Sequence, residues 1–269
     1  MTTGSTRPIH FLCFAFALFI CITFRFQAMA QQHVSYIKSV VSTYSSVISK
    51  TKPPITVYFL SGLGADKRVF DKLTLDPGIQ VKHIEWIAPL KKETLHNYAT
   101  RLMAQIDTTK PFQLVGLSFG GVMASEIADI TNPKKVIIIS STATGVPVSS
   151  FYRGLLKVLL ASPLAAPILK SPNSLVNKYF GADTPELKAL LKNILHDTNG
   201  RFLKWALIRM SSWSRPMKVS GLYHIHGTAD KLIPVKLVKP DVLIDHGGHL
   251  MVYAQHEEIS DVLNKELLR

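Results

Sequence analysis

Apolar residues in this chain fall into short runs of two kinds. The first kind is continuous: Ile55–Leu60, Phe112–Val115, Val136–Ile139, Leu222–Gly227 and Val242–Asp245. Such runs predict strands, and Val136–Ile139, apolar throughout, predicts a strand covered on both faces of a parallel sheet. Val81–Ile87, with a less regular pattern, predicts one more strand. The second kind recurs at helical spacing. Leu95, Tyr98, Leu102 and Ile106 share one face over Thr94–Asp107. Gly121–Ala128 predicts a helix ending near Asn132-Pro133, and Ile259, Val262, Leu263 and Leu267 predict another over Glu257–Leu268. Strands alternating with helices predict an α/β fold, a doubly wound and mostly parallel sheet of about six strands.

Three stretches depart from this rhythm. Residues 1–30 have the layout of a signal peptide. Arg7 precedes the apolar stretch Phe11–Phe24, interrupted only by Thr23, and Ala28-Met29-Ala30 offers a cleavage site. The expected mature protein is exported, periplasmic or extracellular; a retained N-terminal anchor is the alternative. Residues 31–54 are a Ser-rich spacer closed by Pro53-Pro54, in which Val34, Ile37, Val41, Tyr44 and Ile48 allow a loosely packed helix. Residues 145–217 hold apolar helical stretches, Leu155–Ala161 and Leu187–Leu195, punctuated by Pro163, Pro167, Pro172 and Pro185 and followed by Phe202, Trp205 and Trp213. The main domain is expected over 55–269.

Composition narrows the function classes. The 269 residues are 47% hydrophobic and 18% charged, which describes a globular chain. The net charge is +13; residues 1–30 contribute Arg7 and Arg25 and no acid, so the remainder carries +11. No zinc-finger, RNA-recognition or arginine-rich motif accompanies that charge, so no nucleic-acid partner is expected. A basic surface favours at most peripheral contact with an anionic membrane or envelope polymer. Both cysteines, Cys13 and Cys21, lie in the leader, so the mature chain would have neither disulfide nor thiol chemistry.

The candidate chemistry begins at Gly116-Leu117-Ser118-Phe119-Gly120. This G-x-S-x-G stands between a predicted strand and a predicted helix, the context in which a sharp turn lifts a serine hydroxyl above a sheet edge. Side chains at 116 and 120 would collide in so tight a turn, and Gly121 would pack close to the strand. Two later strands end in His226-Gly227-Thr228-Ala229-Asp230 and in Asp245-His246-Gly247-Gly248-His249.

With Ser, Asp and His in that order, each just past a strand, the chain resembles the α/β-hydrolase superfamily in its serine-hydrolase branch. The matching pieces are the Gly116–Gly121 turn, His226–Asp230, Gly247-Gly248-His249 and Phe59-Leu60-Ser61-Gly62-Leu63-Gly64 after the first strand. The resemblance covers about residues 55–269 apart from the 145–217 insert, which resembles a helical cap. It implies Ser118 as nucleophile, His249 as base and Asp230 as the acid that orients it. It also implies an oxyanion hole from the backbone N–H of Leu63 and Phe119, and no metal or organic cofactor. Where that family often has His-Gly in the oxyanion loop, this chain has Ser61-Gly62, whose backbone can still serve. Two strands that precede the first core strand in the family are not evident here.

Other residues compete for these roles. His246 stands three positions from His249, and Asp245 could replace Asp230. His224 and His226 form an H-x-H pair on one strand, a packing or loop-orienting pair for want of a third metal ligand. Asp66 and Arg68 suit a helix cap or an ion pair. A small acyl substrate, mostly apolar to suit a Leu-, Pro- and Trp-rich cap, is the expected partner. Carboxylic-ester hydrolase is the principal reading. A non-catalytic ligand-binding protein of the same fold, an acyltransferase and a C–C hydrolase remain open, because the three residues are common to these classes.

Overall fold

The computed structural model describes residues 29, 31–42, 54–145, 160, 162, 165–171 and 173–269. The chain divides into two compact units, 1–53 and 54–269. In the first, residues 31–42 form a helix whose side chains are all exposed, Val34, Ile37 and Val41 among them. The apolar stretch 11–24, Cys13, Cys21, Tyr44 and Ile48 lie outside the described residues. No helix among the described residues is long and apolar enough to cross a membrane.

The second unit is built on six parallel strands: β1 (Ile55–Leu60), β2 (Ile79–Ile84), β3 (Phe112–Leu117), β4 (Lys135–Ile139), β5 (Leu222–Gly227) and β6 (Val242–Ile244). Their order is β2-β1-β3-β4-β5-β6. Successive side chains in a strand face opposite ways, and both faces are covered. Val57, Phe59, Val115, Leu117, Ile137 and Ile139 pack on one face with Ile259, Leu263 and Leu267. Tyr58, Leu60, Leu114, Val136 and Ile138 pack on the other with Tyr98, Leu102, Val122, Met123 and Ile127. The helices packed on these faces are α1 (Leu95–Leu102), α2 (Phe119–Ile130) and, at the end of the chain, α7 (Met251–Ala254) and α8 (His256–Leu267).

Between β4 and β5 the described residues form α3 (Ala165–Lys170), α4 (Ser174–Phe180), α5 (Pro185–Asp197) and α6 (Gly200–Met210). Their starts are written locally. Asn173, Thr184 and Asn199 each accept a backbone N–H of the first turn, and Pro185 opens α5. The insert is tied to the sheet layer by its tryptophans: Trp205 Nε1 donates to the Glu93 carbonyl (3.0 Å) and Trp213 Nε1 to Glu126 on α2 (2.7 Å). Of the expected helix Leu155–Ala161, only Leu160 is among the described residues.

Several boundaries move, three of them as follows. β2 runs 79–84 rather than 81–87, because Ile84 pairs with Leu60, the last residue of β1, and the ladder has nothing further to pair with. The helix expected over 94–107 is α-helical only to Leu102 and tightens into a 3₁₀ turn at Met103–Gln105. The last helix begins at His256, after a short helical turn at Met251–Ala254.

Candidate active site

The strand order reverses between β1 and β3, adjacent strands from which the chain leaves in opposite directions. Open α/β sheets bind ligands in the crevice at such a point, outside the carboxyl ends of the strands. Leu63 follows β1 and Ser118 follows β3, so both stand at its lip.

Ser118 is held in a conformation that serine avoids, with φ +52° and ψ −115°. Four hydrogen bonds hold it there. Its N–H donates to the Ile139 carbonyl (2.9 Å). Its carbonyl accepts from Gly121 N (2.9 Å), Val122 N (3.4 Å) and Ser141 Oγ (2.7 Å). The turn closes so tightly that a Cβ on Gly116 would land on the Gly120 carbonyl, and one on Gly120 would land on the Leu60 carbonyl. Strain sustained by this many contacts is a mark of functional positions.

The structure brings Ser118, His249 and Asp230 together. Ser118 Oγ is 2.9 Å from His249 Nε2, and His249 Nδ1 is 2.8 Å from Asp230 Oδ2. The other Asp230 oxygen accepts the N–H groups of Leu232 and Ile233, each at 2.9 Å. Burial pushes the Asp230 carboxyl up, but the His249 bond and charge and the Ile233 N–H outweigh this and hold it below the usual carboxylate range. An ionised Asp230 accepts a hydrogen bond from His249 Nδ1–H, which fixes the tautomer whose Nε2 is free to accept from the serine hydroxyl. The Phe180 and His249 rings meet edge to face (centroids 5.6 Å, planes 89° apart).

Among the described residues the N–H groups of Leu63 and Phe119 have no hydrogen-bond acceptor. Phe119 opens α2, where the first N–H groups of a helix lack intrahelical partners. Ser61, standing where the family often has histidine, braces the loop: its hydroxyl accepts from Trp86 Nε1 and donates to the Ala65 carbonyl, both at 2.9 Å. Beyond the loop Asp66 caps the next 3₁₀ turn and pairs with Arg68, which also reaches Asp197 at the end of α5 (2.7 Å).

Ser118 opens into a cavity of about 230 Å³. Leu63, Val122, Leu207, Met210, Trp213, Leu232 and Ile233 make it chiefly apolar, with Thr142 and Ser211 as polar exceptions. A second cavity of about 270 Å³, edged by Asp66, Glu85 and Asp197, contains no member of the Ser–His–Asp set.

No family model and no curated protein matches the sequence. Solved structures do match in shape. An esterase from Exiguobacterium antarcticum superposes with a TM-score of 0.63 at 16% identity, over 80% of this chain and 92% of that one. The enol-lactonase from Burkholderia xenovorans LB400 gives 0.64 at 14% identity, over 81% and 93%. The chain has the α/β-hydrolase fold. A bottromycin epimerase shares that fold as well, with a TM-score of 0.57 at 17% identity over 80% and 91%, so the α/β-hydrolase fold by itself does not fix the reaction.

Within this α/β-hydrolase fold the competing residues fall away from the serine. Asp245 lies past the end of β6, exposed, and bonds Thr228 Oγ1 and the His246 backbone. The His246 side chain is 91% exposed. His224 and His226 are buried and bonded to each other. Sequence reasoning missed Trp86, Phe180, Leu232 and Ile233. Only Ile233 left a trace, lying three residues beyond Asp230 at the reach of a turn; the other three carry no local pattern.

Proposed function

We propose that the protein is a serine hydrolase that cleaves carboxylic esters or closely related acyl bonds. The observation that carries this reading is the continuous chain from Ser118 Oγ through His249 to Asp230, at a serine held in a strained turn. His249 Nε2 takes the hydroxyl proton as Ser118 Oγ attacks the acyl carbonyl. The N–H groups of Leu63 and Phe119 receive the oxyanion that develops. His249 then passes its proton to the leaving alkoxide, and an acyl group remains on Ser118. Water attacks this ester, giving its proton to His249. The carboxylic acid leaves and Ser118 regains its proton. Asp230 supports the imidazolium in both halves.

The apolar cavity beside Ser118 supports an acyl group of short to medium length without charge or sugar substituents. The signal-peptide layout of residues 1–30 supports export, with the mature chain starting at Gln31 and free to touch an anionic surface. N-terminal sequencing of the protein from its native host tests the export reading: an intact Met1 in a cytosolic fraction would reject it.

The deciding experiment uses p-nitrophenyl esters and a fluorophosphonate probe. Wild type should turn over the ester and take the label, and Ser118→Ala should do neither. Equal labelling of both proteins, or none of wild type, would overturn the reading.

A further inference from the structure

Beyond Asp230 the polar chain continues into the protein. His224 and His226 stand two apart on β5, on the same side of the strand, and are 1% and 0% exposed. His226 Nε2 lies 2.8 Å from the Ile233 carbonyl. A carbonyl can only accept, so Nε2 carries the hydrogen. In a neutral ring Nδ1 must then accept, and its neighbour at 3.1 Å is His224 Nε2, which therefore donates. Both rings are kept neutral by burial; His224 is pushed down to about 4, first by burial and then by the neighbouring His226. The charged and titratable groups facing the pair are Asp241 and Lys218 on the His224 side, and Asp230 and His249 on the His226 side. The chain of donors thus runs one way, from His224 through His226 to the turn that carries Asp230.

That turn is gripped from both ends. Ile233 gives its N–H to Asp230 Oδ1 and receives the His226 N–H on its carbonyl. His226 Nε2 is also 3.6 Å from Asp230 Oδ2, the oxygen that bonds His249. We infer that His226 is a positioning residue for the candidate triad. Its Nε2–H pins the Asp230–Ile233 turn to β5, and His224 holds its ring in the one tautomer able to do so. The inference rests on the hydrolase reading of Ser118 for its kinetic consequences, but not for its structural ones.

The test compares His226→Leu, His226→Gln and His224→Leu in the full chain with p-nitrophenyl acetate as substrate. In His226→Leu the turn loses its anchor and Asp230 loses its alignment with His249. We expect kcat to fall about ten- to a hundredfold with KM little changed. The acid limb of the kcat/KM profile should move to lower pH, because the His249 imidazolium loses carboxylate support. His226→Gln, which places an N–H near the position of Nε2, should recover most of kcat and the wild-type limb. His224→Leu should fall between them. A folded His226→Leu with unchanged kcat and profile would overturn the inference, as would equal impairment of the Leu and Gln variants. Should His226→Leu fail to fold, an unaltered profile in His224→Leu would overturn it. An NMR titration of the His249 ring reads the same displacement without turnover: a shift to lower pH in the variants supports positioning, and no shift rejects it. Absence of turnover and labelling in wild type would remove the hydrolase reading alone.

Discussion

Gly227 and Gly247 meet backbone against backbone, so closely that a Cβ on Gly227 would fall on the Gly247 carbonyl. Ala229 N–H bonds that carbonyl at 3.0 Å, and Thr228 N–H bonds the Ile244 carbonyl at 3.0 Å. The turn bearing Asp230 is stitched in this way to the turn bearing His249, and the 2.8 Å contact between the two side chains depends on it. Gly227→Ala should force the turns apart. Urea unfolding should show a loss of at least about 2 kcal/mol, the scale of overpacking in a closed site. Ester turnover should fall further than that loss explains; a normal kcat in the folded variant would show that the two turns are not coupled.

The strain at Ser118 predicts an order of stabilities that does not depend on catalysis. Ser118→Ala and Ser118→Gly both remove the hydroxyl, but only glycine occupies φ +52° and ψ −115° at low cost. A non-glycine residue held in such a region costs about 1–3 kcal/mol, from which the extra freedom of glycine in the unfolded chain subtracts roughly 0.5–1. Ser118→Gly should therefore unfold at higher urea than Ser118→Ala, by about 1 kcal/mol. The reverse order would mean that the turn is relaxed.

The cavity wall sets a length preference. Each methylene of an acyl chain buried there should add about 0.8 kcal/mol, close to fourfold in kcat/KM, until the space is full. Leu207 lines the cavity beside Met210 and Trp213. Leu207→Trp should leave acetate esters almost untouched and depress longer acyl esters. A series of p-nitrophenyl esters graded in acyl length reads this directly, and a parallel decline at all lengths would remove Leu207 from the acyl site.

Burial of His224 predicts a pH dependence of stability. The unfolded chain takes up a proton near the ordinary 6.5, whereas the folded ring resists it until about 4. Between these values the unfolded state binds more protons, so stability rises with pH across this window and falls as pH drops through it. For His224 alone the loss from pH 7 to pH 4 should approach 3 kcal/mol, at about 1.4 kcal/mol per pH unit. Urea unfolding across that range measures it, and His224→Leu should show the shallower slope. An equal slope would mean that His224 is protonated in the folded protein.

The sheet was legible in the sequence because its causes are local. A strand buried on both faces must be apolar throughout, as Val136–Ile139 is, and a helix packed on one side must repeat its apolar residues as Leu95, Tyr98 and Leu102 do. The turn at Ser118 was legible for the same reason: the close approach at Gly116 and Gly120 excludes a side chain, and that constraint is written at the position itself. The order of Ser118, Asp230 and His249 named candidates, but their meeting was decided by the sheet, which brings Ser118 within 2.9 Å of a histidine 131 positions away. Nothing local marks Trp86 as the brace of Ser61, Phe180 as the neighbour of His249, or the direction of donation from His224 through His226 to Ile233. One apolar residue can replace another in a helix pattern, so the pattern records that Leu207 and Met210 are covered without recording what they cover. Short-range periodicity and backbone exclusion belong to the sequence; the walls of the cavity and the one-way chain of donors arise only when distant segments are packed together.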